Sequence, residues 1–281
     1  MITDSQTNTV YYSNQSIYGL KEEVGELKII LKDHGIQCHK ILGTRDYFCR
    51  DYMPVQKDEN TFIQFRFKPD YLLNDPKQNQ YFSNINLIHQ ENEFLKSLNI
   101  IPSDIILDGG NLIKWNNKVI ITDKVFIDNP DILPENLIEK LRALLKCQVI
   151  IIPRYPGEET GHADGLVRFI DDNSVLSICL ANKPIDWIYW LKEALVKANI
   201  TLLSLPQVLL EEEELAWGYI NYLHVGELII LPTFGYKSDS MIEKFFAKVF
   251  PDNTIKTLDA KKIIMEGGVL NCFTWNIFKH L

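Results

Sequence analysis

The chain has 281 residues, a formal net charge of −8 and a hydrophobic share of 46%. That share is enough for a sizeable core, whereas the acidic balance disfavours nucleic acid as a partner, because phosphate binding requires basic patches. No run of about 18 apolar residues occurs, which is the minimum for a spanning helix, so we expect no membrane partner.

The cysteines and the N-terminal residues bear on the cellular compartment. Five cysteines, an odd number without a Cys-x-x-Cys pair, argue against a disulfide framework and a zinc knuckle. Residues 1–7 are polar and lack the basic and apolar segments of a secretory signal. We therefore predict a reduced protein in the cytoplasm. No glycine-rich phosphate loop precedes a helix, so no nucleotide cofactor is expected.

Helical and strand-like patterns alternate along the chain. In 131–146, apolar residues recur with the three-and-four spacing of one buried helical face. The predicted helices cover 17–34, 84–98, 131–146, 184–199 and 239–250. The predicted strands are short apolar runs at 119–122, 149–152, 166–170, 175–180 and 228–231. This alternation predicts an α/β protein and, because no Gly/Ser/Pro linker divides the chain, a single domain over 1–281.

Five informative polar positions recur at a nearly constant interval. Asp51, Asp108, His162, Tyr219 and Cys272 are separated by 57, 54, 57 and 53 residues. This period is slightly longer than that of most repeats. It predicts five similar strand-and-helix modules around an axis, each of which sends the polar end of a strand to one central site. On spacing alone, an ordinary α/β alternation with a chance rhythm remains an alternative.

The first two polar motifs supply carboxylates. Thr44–Pro54 contains two Arg-Asp pairs, and Asp51 is suited to bind a planar guanidinium through two parallel hydrogen bonds. The alternative is an ion-pair network within a loop. In the second motif an apolar strand delivers Asp108, and Gly109, Gly110 and Asn111 follow. Here the alternative is an aspartate that caps a turn.

A base and an acid stand two residues apart in the middle of the chain. His162 and Asp164 lie in Gly161-His-Ala-Asp-Gly165, immediately before an apolar run. If the segment is extended, their side chains point to the same side. A metal site would need a third ligand at a suitable spacing, and none is evident, so no metal is expected.

The last two motifs supply an amide and a thiol. Asn221, in Tyr219-Ile-Asn221, is able to bind a ligand or only its own turn. Cys272 follows the double glycine Gly267-Gly268 on a run that we predict to be extended. A thiol is a strong nucleophile when it is ionised, which requires a positive neighbour. The alternative for any single cysteine is a buried structural role.

Taken in order, these motifs resemble the guanidine-modifying penteins, and within them the agmatine deiminase and bacterial peptidylarginine deiminase branch. The similarity extends over roughly residues 44–275. The Gly-His-x-Asp motif and the Gly-Gly…Cys motif are specific in combination. The resemblance implies a pentein five-bladed α/β propeller, a ring of ββαβ modules around a central site, which agrees with the interval between the polar motifs.

The resemblance also implies a reaction, the hydrolysis of a guanidino compound to a ureido product and ammonia through a covalent cysteine intermediate. Its partner would be a small cationic guanidino substrate or an arginine side chain. The implied catalytic residues are Cys272, His162 and Asp108. The implied substrate-binding residues are Asp51, Asp164, Arg50, Asn111 and Asn221.

The sequence departs from the family pattern near the expected site. Asp108 stands where glutamate is usual, and Asn271 stands where histidine often precedes the nucleophile. Phe48 and Met53 replace a usual tryptophan and a usual glycine. The substrate therefore stays open among agmatine, arginine and peptidylarginine. An amidinotransferase and a catalytically impaired pentein that only binds are the alternative functions, and the oligomeric state is open, a homodimer included.

Overall fold

The computed structural model describes residues 1–208 and 210–280, which form fifteen strands and twelve α-helices. The strands are β1 Thr9–Ser13, β2 Gln37–Ile41, β3 Val55–Gln56, β4 Thr61–Arg66, β5 Asn99–Ile106, β6 Ile113–Trp115, β7 Lys118–Thr122, β8 Gln148–Ile152, β9 Val167–Asp171, β10 Ser174–Ser177, β11 Thr201–Ser204, β12 Leu223–Val225, β13 Leu228–Thr233, β14 Thr254–Asp259 and β15 Thr274–Ile277.

The helices are α1 Ser16–Gly19, α2 Lys21–Asp33, α3 Cys49–Tyr52, α4 Asp70–Leu73, α5 Ile85–Glu91, α6 Glu93–Lys96, α7 Lys124–Asp128, α8 Pro134–Leu145, α9 Ile185–Lys197, α10 Asp239–Val249, α11 Lys261–Ile264 and α12 Leu270–Phe273. The 3-10 helices are Asp4–Gln6, Asn79–Tyr81, Gly109–Asn111 and Leu210–Ile220. Within the described residues, no helix combines the length and the apolar character that crossing a bilayer requires.

The strands form five sheets of three strands each, and every sheet has the same topology. In the sheet formed by β6, β7 and β8, for example, β7 pairs antiparallel with β6 and parallel with β8. A parallel pair needs a crossover connection, usually a helix, and α8 supplies it here. The unit is therefore ββαβ, and its fivefold repetition confirms the predicted five modules of an α/β propeller.

One sheet joins the two ends of the chain. β15 pairs antiparallel with β1, from Thr9 opposite Ile277 to Tyr12 opposite Thr274, and β1 pairs parallel with β2. The last strand thus completes the module that the first strands begin. This pairing closes the ring.

Local sequence explains the crossover helix α8. α8 begins at Pro134, which the first helical position tolerates because its missing N–H has no partner there. Leu137, Leu141 and Leu145 are buried on one face. The helix ends at Lys146, which has the left-handed φ of 54° that is common after a helix. Burial of this face fixes the helix against β8 and its neighbours.

The five polar motifs occupy equivalent places in the modules. α3, the 3-10 helix Gly109–Asn111, the loop 162–165, the 3-10 helix Leu210–Ile220 and α12 each directly precede the first strand of a sheet. α3 contacts both α12 and Gly109–Asn111, and the N–H of Asp164 donates to the carbonyl of Gly110. The fold therefore brings residues that are distant in sequence to one centre.

At two places the backbone is not extended: at His162, where we considered an extended segment as one possibility, and at Cys272, where we predicted one. The segment at His162 is a turn and not a strand, because the N–H groups of Leu166 and Val167 both bond to the carbonyl of Ala163. Cys272 lies in the short helix α12 and not in an extended run. The backbone at both places bends to present side chains to the centre.

Candidate active site

A cavity of about 1330 Å³ opens where the five motifs meet. Asp51, His162, Asp164 and Cys272 line it. Each is at most 8% exposed, so the functional groups lie at the bottom of the cavity and are largely removed from bulk water. Interactions between charges are stronger in such a place than at the surface.

The thiol of Cys272 is held between an acid and an amide. Its Sγ donates a hydrogen bond to Asp164 Oδ2 at 3.1 Å and accepts one from Asn221 Nδ2 at 3.2 Å. Burial, followed by the negative charges of Asp164 and Asp51, raises the pKa of the thiol well above its usual value. In the unliganded protein Cys272 is therefore a neutral thiol, and ionisation requires an added positive charge.

Asp164 has a second fixed partner, Asn271. The Nδ2 of Asn271 donates to Asp164 Oδ2 at 2.7 Å, and both side chains are buried. The residue that replaces the usual histidine thus orients the carboxylate next to the nucleophile. Sequence comparison with the family pattern marked this position, but the contact itself follows only from the fold.

His162 lies between two carboxylates. Its Nε2 is 3.2 Å from Asp108 Oδ2, and its Nδ1 is 3.6 Å from Asp51 Oδ1. Burial disfavours the charged imidazole, but the carboxylates of Asp51, Asp108 and Asp164 outweigh it and raise the pKa of His162 to about 10. The unliganded site therefore holds an imidazolium, which is a proton donor.

The double glycine after Asp108 makes this arrangement sterically feasible. A Cβ on Gly109 would lie 2.0 Å from the carbonyl oxygen of Arg50, and a Cβ on Gly110 would lie 2.6 Å from Asp51 Oδ1 and 2.7 Å from His162 Nδ1. Only glycine allows these two close approaches. The N–H of Gly110 in turn donates to Asp51 Oδ1 at 2.9 Å and fixes the carboxylate.

Tyr71 also lines the cavity, although no motif in the sequence indicates it. Its hydroxyl donates to Asp51 Oδ2 at 3.4 Å, and its ring meets the ring of His162 edge-on at 5.9 Å. Tyr71 belongs to α4, in a stretch without any recognisable motif. No local signal distinguishes it, because only the packing of the second module brings it to the cavity.

The pKa of Asp51 is also shifted by burial and by the neighbouring charged groups. Burial raises its pKa, the positive His162 lowers it, and the other carboxylates raise it again, so that the pKa of Asp51 is about 7. A cation that enters the cavity removes this repulsion between neighbouring acids. The arrangement is therefore suited to a positively charged ligand.

Three residues that we expected to bind substrate lie elsewhere. Arg50 donates through Nε to the carbonyl of Asn271 at 3.1 Å and through Nη2 to Asn276 Oδ1 at 2.6 Å. Asn111 accepts the N–H of Thr122 at 2.9 Å. These partners are protein groups below the cavity, so Arg50 and Asn111 support the structure and do not line the site.

Asn221 also does not line the cavity, because it is fully buried beneath Cys272. The assignment to the substrate is corrected for Asn221 as for Arg50 and Asn111. In all three cases a polar side chain next to a turn forms hydrogen bonds with other groups of the protein. The sequence alone does not distinguish this structural role from ligand binding. Among the residues that the structure describes, no group of three or more His, Cys, Asp or Glu is arranged to hold a metal ion.

A family model for the Porphyromonas-type peptidyl-arginine deiminase matches residues 1–277. The chain belongs to this family. A curated protein of Photobacterium profundum, provisionally named an agmatine deiminase, is 25% identical over an alignment of 211 residues, gaps included, and the match covers 62% of this chain and 58% of that protein. The match thus spans less than two thirds of the length of that relative.

Solved structures of the pentein fold extend the comparison. An agmatine deiminase of C. jejuni superposes with a TM-score of 0.76 at 20% identity and covers 100% of this chain and 96% of its own. An amidinotransferase of Microseira wollei reaches a TM-score of 0.65 at 12% identity, with 100% and 97% coverage. The same fold thus occurs in an agmatine deiminase and in an amidinotransferase, so the fold alone does not distinguish deimination from amidino transfer.

Proposed function

We propose that the protein is a guanidine deiminase, which hydrolyses a guanidino compound to a ureido product and ammonia. The observation that carries this proposal is the contact between the Cys272 thiol and the Asp164 carboxylate, at 3.1 Å in a cavity that also holds His162 and Asp51. A nucleophile that is neutral until a cation arrives, next to acids that attract the cation, suits a guanidinium and no neutral substrate.

The first step begins with binding. Asp51 and Asp164 would accept hydrogen bonds from the guanidinium nitrogens, and the substrate's charge would lower the pKa of the Cys272 thiol. The thiol proton then passes to water, the thiolate attacks the central carbon, and a carbon–sulfur bond forms. One carbon–nitrogen bond breaks, the departing nitrogen takes a proton from the His162 imidazolium, and ammonia leaves. An alkylthiouronium remains on Cys272.

The second step reverses the role of the histidine. His162, now neutral, would take one proton from water, whose oxygen attacks the same carbon. The carbon–sulfur bond then breaks, the leaving sulfur of Cys272 recovers the second proton of the water, and the ureido product is released. Asp108 Oδ2, at 3.2 Å from Nε2, would hold the ring in place. The shorter aspartate therefore reaches the histidine, which supports an active enzyme over a protein that only binds. Acid–base help of this kind is worth about 10²–10⁴-fold in rate.

The cavity lining supports a substrate with a second positive charge. Beyond the guanidinium acids, further carboxylates line the cavity, among them Glu159, Glu213, Glu214 and Glu266. Agmatine carries an amine at the far end, which these acids attract. Free arginine carries a carboxylate there, which they repel. We therefore infer an agmatine-type substrate, in line with the names of the agmatine deiminases that the chain resembles.

An ammonia-release screen tests this function. The substrates are agmatine, free arginine, methylated arginines and a peptide with an internal arginine, each without an added amine. We expect ammonia from agmatine above all, and none from the Cys272→Ser variant. Release that requires an added amine acceptor would indicate an amidinotransferase, and release from none of the compounds would contradict the proposal.

We further propose that residues 1–281 act as one catalytic domain in the cytoplasm. All five modules contribute a segment to the site, which supports a single unit. All five cysteines are free, as expected in a reducing compartment. A homodimer stays a prediction.

A further inference from the structure

Residues 2–7, which we call the axial segment, contact all five modules. Each polar motif directly precedes the first strand of a sheet, whereas the partners of the axial segment lie within these strands or just after them. The segment forms hydrogen bonds with one residue of each module, namely Asn276, Lys57, Lys114, Arg168 and Gly226. The axial segment therefore lies on the axis of the ring, on the side opposite the cavity.

Asp4 brings a negative charge from this segment to a group of buried cations. Its Oδ2 accepts a hydrogen bond from Arg168 Nη2 at 2.8 Å, and Lys114 Nζ is 3.9 Å from its Oδ1. The side chains of Arg168 and Lys114 are at most 8% exposed. Burial raises the pKa of Asp4, but three cations outweigh it and hold the pKa below its usual value, namely Arg168, Lys114 and Arg50. At neutral pH the carboxylate is therefore ionised and compensates buried positive charge.

Asn276 links the axial segment to Arg50. Its Nδ2 donates to Thr7 Oγ1 and to the carbonyl of His224, both at 2.9 Å, and to Asp4 Oδ1 at 3.3 Å. Its Oδ1 accepts from Arg50 Nη2 at 2.6 Å. Because a guanidinium only donates, the oxygen of Asn276 must face Arg50 and its nitrogen must face the axial segment. Thr7 Oγ1 in turn donates to the backbone carbonyl of Asp4 at 2.6 Å, so Asp4 and Thr7 hold the amide together.

Arg50 continues this link to the nucleophile. Its Nε donates to the carbonyl of Asn271 at 3.1 Å, and Asn271 directly precedes Cys272 in α12. The side chain of Asn271 also orients the carboxylate of Asp164, at 2.7 Å. The axial segment is thus connected, through two buried side chains, to the turn that carries both the thiol and a partner of the neighbouring acid.

We propose that Asp4 is a positioning residue for the turn that carries Cys272 and acts from the opposite side of the ring. Without its carboxylate, the buried cations would repel one another with no counter-charge between them. Arg50 would then move from the place in which it holds the Asn271 carbonyl. The effect on turnover rests on the proposed deiminase function, whereas the effect on the turn itself does not.

Two variants of Asp4 and one control test this role. Asp4→Asn keeps the shape and an oxygen for Arg168 but removes the charge. Asp4→Ala removes the whole carboxylate and leaves a space that formate is able to fill. Asp172→Ala is the control, because Asp172 also links two modules on this side of the ring, through Trp115 Nε1 at 2.9 Å and Asn116 Nδ2 at 2.7 Å, and is not part of the link to α12.

The first measurement is amide hydrogen exchange of the folded protein, followed by mass spectrometry of its peptides. We expect exchange in 270–273 to become about ten- to a hundredfold faster in both Asp4 variants, which is the value of a hydrogen bond to a charged group. Urea unfolding gives the change in global stability, and exchange in α8 should change by no more than this. Formate should restore slow exchange in Asp4→Ala, and chloride at the same ionic strength should not. Asp172→Ala should exchange in 270–273 as the wild type does.

The second measurement is turnover, once the ammonia screen has selected a substrate. We expect kcat of Asp4→Ala to fall by about ten- to a hundredfold, because a small displacement of the thiol misaligns it with the substrate carbon. KM should change much less, since the acids that bind the guanidinium remain. Formate should restore kcat, and a carboxylate that served folding alone would not give this separation of kcat from KM.

Wild-type exchange in 270–273 of a folded Asp4→Ala protein would overturn the proposal, because the axial segment would then serve stability alone. Faster exchange with an unchanged kcat would overturn it as well. If Asp4→Ala does not fold, wild-type exchange in Asp4→Asn is the result that refutes the role. Because exchange needs no substrate, faster exchange together with no ammonia from any compound would refute the deiminase function and leave the positioning of the turn established.

Discussion

At the scale of single residues, Asp164 has opposite effects on Cys272 before and after a cation binds. In the unliganded protein it accepts the thiol hydrogen at 3.1 Å and, after burial, is the largest cause of the raised thiol pKa. A bound guanidinium neutralises this negative charge and adds its own attraction for the thiolate. The nucleophile is thus protected from adventitious thiol reagents until a substrate arrives.

Asp164→Asn should therefore make the free thiol more reactive and the enzyme less active. Loss of the negative charge lowers the pKa of the thiol, so alkylation at pH 7 should become at least about tenfold faster. KM for a cationic guanidine should rise strongly, while binding of a neutral urea should change little. Alkylation rates and inhibition constants measure these effects, and slower alkylation or equal loss for cation and urea would contradict them.

Gly110→Ala should inactivate the enzyme with little effect on folding. The new methyl would meet Asp51 Oδ1 and His162 Nδ1 at under 3 Å, so the two groups must separate. We expect kcat to fall by about 10²-fold or more, because displaced acid–base groups lose their contribution. Activity assays with urea unfolding test this, and a variant with kcat within a few-fold of the wild type would contradict it.

Gly25→Ala provides the matched control. Gly25 lies inside α2, and an added Cβ meets nothing within 4 Å. Alanine should stabilise the helix by about 1 kcal/mol and leave kcat unchanged. A loss of activity in this variant would show that the Gly110→Ala result is not specific to the site.

At the scale of elements, the sequence predicted the repeated parts well and the irregular parts poorly. The helices at 131–146 and 239–250 and the strands at 119–122 and 228–231 were found, because burial of one face leaves a periodic pattern. The helix at 84–98 is divided by Asn92, whose amide bonds Leu42 and Ile88. Partners that are far away in sequence leave no periodic signal.

The same reason explains the errors at the site. The positions of Asp51, Asp108, His162 and Cys272 follow a regular interval, so their convergence was predictable from the sequence. The turn at Cys272 was not, because its backbone bonds to an asparagine of another module. Tyr71 was missed for the same reason.

α12 is anchored from below by Arg50, which should make this arginine a positioning residue. Arg50 bridges the Asn271 carbonyl and Asn276 Oδ1, and a lysine has no planar fork that reaches both. Arg50→Lys should lower the free energy of unfolding by about 1–3 kcal/mol and lower kcat more than it changes KM. The exposed Arg45→Lys is the control. Unchanged kcat in a destabilised variant would contradict the positioning role.

At the scale of the whole molecule, the ring closes through a single pairing between its ends. β15 pairs with β1 over Thr9–Tyr12, and Ile277 is fully buried at this contact. α12, with Cys272, leads directly into β15. The stability of the ring and the position of the nucleophile therefore depend on the same strand.

Ile277→Ala should destabilise the entire molecule in one transition. Removal of a fully buried isoleucine side chain costs about 2–5 kcal/mol, whereas Ile29, which is 62% exposed, should cost less than about 1 kcal/mol when changed to alanine. Urea unfolding followed by tryptophan fluorescence and far-UV circular dichroism should give coincident curves for both variants. Separate transitions by the two probes would show that the ring does not unfold as a unit.

A search for the proposed covalent intermediate on Cys272 tests the whole account most directly. The protein is mixed with the substrate that the ammonia screen selects, quenched in acid during turnover, digested and analysed by mass spectrometry. We expect the peptide that contains Cys272 to carry the mass of the substrate less one ammonia. Sustained ammonia release with every Cys272 peptide unmodified, or with the adduct on another residue, would contradict the account.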